Sequence, residues 1–142
     1  MSVRRFGFVV GTVSSTRRDT WIRFGLAALL ALVALNAFGG GYYGMVGAEG
    51  VPTEWLAGSP FSSYLVPSAI LFFVVGGSFL VATIAVLARS RYVRITAVAA
   101  ALIALIWIAT QVAIIGAVSW LQPATACAAV LILFLTRRLR AA

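Results

Sequence analysis

The sequence predicts an all-α membrane protein, a bundle of four transmembrane helices with a short interfacial helix in the loop between the first two. Its 142 residues are 63% hydrophobic and 10% charged, with a mean hydropathy of +1.07. Soluble domains carry roughly 25% charged residues, so this composition belongs in lipid. The apolar residues form stretches of the ~20 residues that a crossing needs. The arginines lie in three clusters separated by long uncharged stretches, which favours one fixed orientation.

The first crossing is predicted at residues 20–40. No charge lies between Arg23 and Glu49, and Asn36 is the one polar residue in the apolar stretch. Residues 1–19 are basic and are expected to form a cytoplasmic tail. A cleaved signal peptide is a second interpretation, because a basic segment before an apolar core marks both. The stretch is long for a signal peptide, which favours a retained helix.

Three further crossings follow from the uncharged stretches. Residues 65–88 match one crossing, whereas the uncharged segment that starts at residue 95 is about twice that length and must turn. The turn is predicted at residues 119–123, because proline suits the first turn of a helix and Trp120 suits the membrane interface. The predicted transmembrane domain covers residues 20–138, with helices at 20–40, 65–88, 95–118 and 123–138 and an outer loop at 41–64.

The charges predict the orientation. Four crossings place all arginine clusters on one side and both Glu49 and Glu54 on the other. Arginine is retained on the cytoplasmic side of short loops, so both termini are expected in the cytoplasm of a multi-pass protein of the cell (inner or plasma) membrane. The clusters are Arg4, Arg5, Arg17, Arg18 and Arg23; Arg89, Arg91 and Arg94; and Arg137, Arg138 and Arg140.

The outer loop differs in composition from the rest of the chain. Residues 39–66 contain seven glycines, two prolines and both glutamates. Residues 51–58 predict the interfacial helix, with Pro52 in its first turn and Gly58 as its stop. The aromatic residues predict interfacial anchors, and a second interpretation is that the loop caps a pocket open to the outer face. The predicted anchors are Trp21, Trp55, Phe61, Tyr64 and Trp120.

Four residues are candidates for a ligand contact or cavity: Asn36, Trp107, Thr110 and Gln111. Asn36 and Gln111 lie at similar predicted depth, and Trp107 lies one helical turn before Gln111. Amide side chains in lipid need partners, so these residues either link two helices or line a site.

Small residues predict close helix packing, within the bundle or between copies of the chain. Small side chains let helix backbones approach in lipid, where dispersion drives association. The candidates for packing are Gly76, Gly77, Ala109, Ala113 and Gly116.

The sequence offers little for catalysis. It contains no His and no Lys, and its carboxylates, Asp19, Glu49 and Glu54, lie outside the predicted spans. Cys127 is the single cysteine and is expected to be buried as a small hydrophobe. We therefore predict no enzyme and no catalytic, cofactor-binding or metal-binding residues. Nucleic acid is not an expected partner, because no basic stripe is interleaved with aromatic residues.

Parts of the sequence resemble a group of small bacterial four-helix membrane proteins, broadly similar in layout to DoxX-like proteins. The similar segments are residues 55–61 with Tyr64 and Pro67, residues 111–116, and residues 119–123, within a region covering residues 24–136. This chain lacks the acidic or cysteine features that would support a redox role. The resemblance implies the four-helix layout and no particular activity.

The leading functional hypothesis is a non-catalytic membrane protein that acts by association, as a homo-oligomer or as a small subunit of a larger membrane assembly, with membrane lipids around it. The lack of catalytic chemistry and the small-residue helix faces favour it. The alternative is binding or transport of a lipid or a small neutral ligand through a cavity near the outer leaflet. A cavity lined by Asn36 and Gln111 is what the alternative requires.

Overall fold

The structure, a computed structural model, describes the backbone of residues 3–57, 59–117 and 119–139, and within these ranges the side chains from residue 17 onward. Every regular element in these ranges is helical, which confirms the predicted all-α class. The predicted helix stop at Gly58, the predicted helix end at residue 118 and the side chains of Arg4, Arg5 and Arg140 lie outside the described residues.

Four helical rods pack in a ring within the described residues. The first is α1, and the second is formed by α2, a π-helical turn and α3, which follow one another without a break. α4 and α5 are the third and fourth, and α5 packs against both α4 and α1. The elements are α1 (Val3–Met45), a 3₁₀ turn (Thr53–Leu56), α2 (Leu65–Ile70), the π turn (Leu71–Gly76), α3 (Gly77–Leu87), α4 (Val93–Ile115) and α5 (Leu121–Arg138).

Three helices in the described part of the chain are long and apolar enough to cross a membrane: Arg17–Met45, Leu65–Leu87 and Val93–Ile115. At 1.5 Å per residue the two of 23 residues extend about 35 Å, against ~30 Å of hydrocarbon. α5 is not among the three. Its 18 residues extend about 27 Å and end in Arg137 and Arg138, so its length and composition do not by themselves identify a crossing.

α1 is longer than the helix predicted at residues 20–40. It begins at Val3, within the predicted tail, and continues to Met45 through the glycines expected in the outer loop. Glycine disfavours a helix by about 1 kcal/mol relative to alanine, but here tertiary packing outweighs that preference. Gly41 and Gly44 lie directly against Phe72 and Ser68, where any larger residue would separate α1 from the second rod.

One end of the bundle, the arginine end, contains the short connection from α3, which ends at Leu87, to α4, which begins at Val93. Val86 and Val93 on either side of this connection are buried, and so is Leu139 directly after α5. Arg94 Nη2 donates a hydrogen bond of 2.6 Å to the Leu139 carbonyl and so joins the start of α4 to the end of α5. The arginines described at this end are Arg17, Arg18, Arg23, Arg89, Arg91, Arg94, Arg137 and Arg138.

At the opposite end, the glutamate end, the loop carries Glu49 and Glu54. In place of the predicted interfacial helix at 51–58 it contains one four-residue 3₁₀ turn. Pro52 and Ala57 on either side are extended, with ψ of 132° and 130°, which limits the helix to that turn.

Cys127 is exposed on α5, contrary to the expected burial. A small apolar side chain is equally stable against lipid or against another helix, so hydropathy alone did not distinguish the two environments.

Candidate functional site

Two neighbouring cavities lie at the glutamate end of the bundle. The larger has a volume of about 250 Å³ and is bounded by α1, the π turn, α4 and α5, with Val51 and Trp55 of the loop also in its wall. The smaller, of about 130 Å³, lies between α2, α4 and the loop. An engineered cavity of about 150 Å³ in another protein binds benzene, so the larger cavity has room for an organic ligand.

The four candidate cavity residues all line this pair of cavities. Asn36 lines the larger cavity and Thr110 the smaller, while Trp107 and Gln111 line both. Trp107 and Gln111 are four residues apart on α4 and therefore lie on the same helical face. The structure thus brings together residues that are 75 positions apart in the chain, from Asn36 to Gln111.

The expected amide pair lies on one cavity without a direct bond. Among the described residues, no side-chain hydrogen bond joins Asn36 or Gln111 to another residue, so both amides are available to a ligand or to water. Thr110 differs, because its Oγ1 donates a hydrogen bond of 2.8 Å to the Ile106 carbonyl one turn earlier. The Thr110 hydroxyl oxygen can still accept a hydrogen bond from a ligand or from water.

The indole nitrogen of Trp107 is buried and has no hydrogen-bond partner in the described structure. Buried polar groups are nearly always paired, and an unpaired donor costs about 1–3 kcal/mol. An acceptor supplied from outside the chain would remove that cost. The Trp107 N–H is therefore a donor in the site that lacks a hydrogen-bond acceptor.

α5 contributes two polar residues that the sequence interpretation did not select. Gln122 is 5% exposed, lines the larger cavity, and donates from Nε2 to the Gly116 carbonyl at 3.3 Å. Thr125 lies on the same cavity. Their spacing of three residues places them on one face of α5, and this polar pair in a helix that is otherwise apolar as far as Leu135 is the signal that would have identified them.

The predicted interfacial anchors divide into two groups. Trp21 and Trp120 are 72% and 76% exposed, as residues at a membrane interface are expected to be. Trp55 lines the larger cavity, Phe61 lines the smaller, and Tyr64 lines both. The second group therefore also contributes to the walls of the site.

Tyr64 fixes the loop over the cavities. Its hydroxyl donates a hydrogen bond to the Pro52 carbonyl, twelve residues earlier. Burial raises the pKa of Tyr64 above its ordinary value of 10.0, and the negative charge of Glu54 raises it further. The neutral phenol is the form that can donate this bond, and the raised pKa keeps the phenol in that form.

The candidate packing residues occupy several environments. Gly76 is buried, and a Cβ there would lie 2.9 Å from the Phe38 ring, so it permits a close approach of α1 and the π turn. Gly77 has no atom within 4 Å of such a Cβ. Gly116 has φ of 77° and ends α4 in a conformation that glycine favours. Ala109 and Ala113 are exposed on α4.

The site is apolar with a few uncharged polar groups. No Asp, Glu or Arg is present among the described residues that line either cavity.

Comparison with protein-family models, with curated proteins and with solved structures gives no match for this chain. The resemblance to DoxX-like proteins stays a prediction.

Proposed function

We propose that this protein is a non-enzymatic membrane protein that binds a small uncharged ligand, or the uncharged part of a lipid, in the larger cavity. The observation that carries the proposal is the convergence of Asn36, Trp107 and Gln111 on one cavity between the rods. A concave apolar site with a few convergent polar groups is the usual form of a ligand site. This favours the ligand-binding hypothesis over association, which the sequence had placed first.

The chemistry of the walls limits the ligand to an uncharged one. A buried ion needs an opposite charge or a metal, and the described cavity walls supply neither carboxylate nor guanidinium. Amide groups and an indole N–H recognise carbonyl and hydroxyl oxygens. We therefore propose a ligand with a neutral oxygen-containing head and an apolar body.

The binding test uses a single-tryptophan variant, in which Trp21, Trp55 and Trp120 are each replaced by Phe so that fluorescence reports Trp107. The protein in phosphatidylcholine nanodiscs is titrated with dibromostearic acid methyl ester, whose bromines quench tryptophan at short range. The proposal expects saturable quenching. Quenching that only rises linearly with probe concentration, as for any residue facing lipid, would contradict it.

A matched pair of variants separates cavity binding from other effects. Gly40→Leu places a side chain in the larger cavity, whose wall includes Gly40. Gly39→Leu makes the same change at the neighbouring helical glycine, where a Cβ would meet no atom within 4 Å. We expect Gly40→Leu to lower the affinity by about tenfold or more and Gly39→Leu to leave it unchanged. Equal affinities for the two variants would refute the site.

The membrane topology is part of the proposal. We propose four crossings with both termini in the cytoplasm of a bacterial cell membrane, supported by the arginine end and by the packing of α5 against α1 and α4. In a Cys127→Ser background, a membrane-impermeant maleimide applied to intact cells should label Glu49→Cys and leave Arg91→Cys unlabelled. Arg138→Cys decides the number of crossings. It stays unlabelled with four crossings and is labelled in intact cells with three.

Association between copies is a second candidate. Its support is the outward exposure of Ala109 and Ala113, one turn apart on α4, with open space beside Gly77 on α3. Small residues facing lipid allow two helices to approach closely. Native mass spectrometry from the membrane should then show a fixed oligomer that the double variant Ala109→Leu/Ala113→Leu dissociates, while Val112→Leu leaves it intact. A monomer in the unmodified protein would reject this candidate.

A further inference from the structure

The two cavities are separated by a wall that they share. Five residues line both cavities and so form this shared wall. Three come from α4 at intervals of four residues, which places them along one face of the helix. The other two come from the end of the loop and from the first residue of the π turn. The shared wall consists of Tyr64, Leu71, Trp107, Gln111 and Ile115.

The smaller cavity lies at the side of the bundle. Pro67 and Ser68 of α2 form one wall, and Thr110 and Ile114 of α4 form the other. α2 packs against α1, so the space between α2 and α4 is left to this cavity. Thr110 on its margin is exposed. The smaller cavity therefore faces the surroundings of the bundle at the depth of the first turns of α2.

The shared wall contains the group that lacks a partner. Trp107 Nε1 is inaccessible in the wall as it stands and makes no hydrogen bond. A rotation of the indole toward either cavity would expose the N–H to a ligand oxygen. Leu71 opposite belongs to the π turn, and such turns inside helices are frequent at functional sites. The closed wall is thus less stable than one in which a ligand pairs with Trp107.

We infer that the ligand is an uncharged amphiphile dissolved in the bilayer, which enters sideways through the smaller cavity and reaches the larger one by displacing Trp107. This inference rests on the proposed function of the larger cavity and adds the route and the ligand class. The apolar body of the ligand passes between α2 and α4, and its carbonyl or hydroxyl oxygen accepts a hydrogen bond from Trp107 Nε1. No aqueous path is needed.

The test measures rates and affinity separately. Dibromostearic acid methyl ester is delivered from cyclodextrin to the single-tryptophan protein in nanodiscs, and quenching is followed by stopped flow. Ile114→Phe narrows the smaller cavity without touching the larger one. Val112→Phe adds the same side chain at a neighbouring exposed position that lines neither cavity.

We expect Ile114→Phe to slow both association and dissociation by about tenfold and to change the Kd little. The larger side chain raises the free-energy barrier to passage through the smaller cavity and does not alter the bound state in the larger one. Val112→Phe should change neither rate. Rates for Ile114→Phe equal to those of the single-tryptophan protein without this change would overturn the sideways route. That result is distinct from failure of the proposed function, which would show as loss of saturable quenching or as no effect of Gly40→Leu.

A second probe tests the proposed ligand class. Dibromo-octadecane carries the same bromines on a similar chain but has no oxygen. Pairing with Trp107 Nε1 predicts about tenfold weaker binding of this hydrocarbon than of the ester. Equal affinity for the two probes would overturn the role assigned to the indole N–H.

Discussion

Gly41 of α1 lies against the backbone of Phe72 in the π turn, so closely that a Cβ on Gly41 would be 2.6 Å from the Cβ of Phe72. The Phe72 ring in turn packs edge-on against Phe38 of α1, with ring centroids 4.8 Å apart. The Phe72 backbone is thus held against α1 by a glycine and its side chain by an aromatic ring. This contact sets the distance between the first two rods directly beside the larger cavity.

Replacing Gly41 with Ala should destabilise the protein. The added methyl group would meet the Phe72 backbone nitrogen at 2.8 Å, and backbone cannot yield as a flexible side chain can. Overpacking of this kind costs typically 1–3 kcal/mol, more than the gain of up to about 1 kcal/mol from replacing a helical glycine. Thermal unfolding in a fixed detergent measures the change in unfolding free energy.

Gly39→Ala is the control for that experiment, because a Cβ at Gly39 has no neighbour within 4 Å. It should be neutral or stabilising through helix propensity alone. If Gly41→Ala were as stable as Gly39→Ala, the close contact with Phe72 would not exist in the membrane.

Removing the unpaired N–H of Trp107 should stabilise the ligand-free protein and weaken ligand binding at once. The change is made in the single-tryptophan variant by incorporating the tryptophan analogue in which sulfur replaces the indole N–H, which preserves the shape of the ring. Loss of a buried unpaired donor is worth about 1–3 kcal/mol. Unfolding free energy and ester affinity are measured on the same samples, and the affinity is measured by isothermal titration calorimetry because the sulfur analogue lacks the indole fluorescence. Lower stability of the analogue protein would show that the N–H has a partner in the membrane.

Tyr64→Phe should loosen the loop. It removes the hydrogen bond to the Pro52 carbonyl while keeping the ring in both cavity walls, at a cost of about 1 kcal/mol. Hydrogen–deuterium exchange of loop residues 50–57 measures the local effect. Exchange should quicken in the loop and stay unchanged in α4.

The contribution of Tyr64 should also depend on pH. Because the folded-state pKa is raised above 10.0, the stabilisation is complete below pH 10.0 and is lost as pH rises through the folded-state value. The difference in unfolding free energy between the unmodified protein and Tyr64→Phe should therefore be constant below pH 10.0 and shrink above it. A difference that grew with alkaline pH would reverse the assigned sign.

Arg94→Gln should release the end of α5. Arg94 Nη2 donates to the Leu139 carbonyl at 2.6 Å, and bonds from charged donors contribute about 1.5–3 kcal/mol. Trypsin cleavage at Arg137 and Arg138 should become faster. Arg91→Gln is the matched control, because Arg91 is exposed like Arg94 but its described hydrogen bond reaches only the neighbouring Tyr92. Equal cleavage rates in the two variants would argue against a link between α4 and α5 through Arg94.

Part of the candidate site was predictable. Asn36, Trp107 and Gln111 stood out because a polar or indole group in an apolar helix needs a partner, and the structure places all three on the larger cavity. Trp55 and Tyr64 were less accessible to prediction. An aromatic residue near a span end has the same sequence context whether it faces the membrane interface or a cavity, and only the path of the loop separates these cases.

The helix ends were also decided beyond the local sequence. Glycine propensity placed residues 41–45 in the loop, whereas contact with the second rod keeps them helical to Met45. The π turn at Leu71–Gly76 has no signature in the apolar sequence around it. It was not predicted, and it supplies Leu71 to the shared wall.

The sequence by itself determined that the chain is helical, that long uncharged stretches suit it to lipid, and that its arginines and glutamates are separated along the chain. The suitability for lipid follows from the free energy of transferring each stretch from water into the bilayer, which depends on the composition of that stretch. The tertiary structure decided which faces meet, how far α1 continues, and that a cavity remains beside Trp107. The physical reason is that, in lipid, apolar side chains are equally stable against lipid or against another helix, so close packing selects the partner faces.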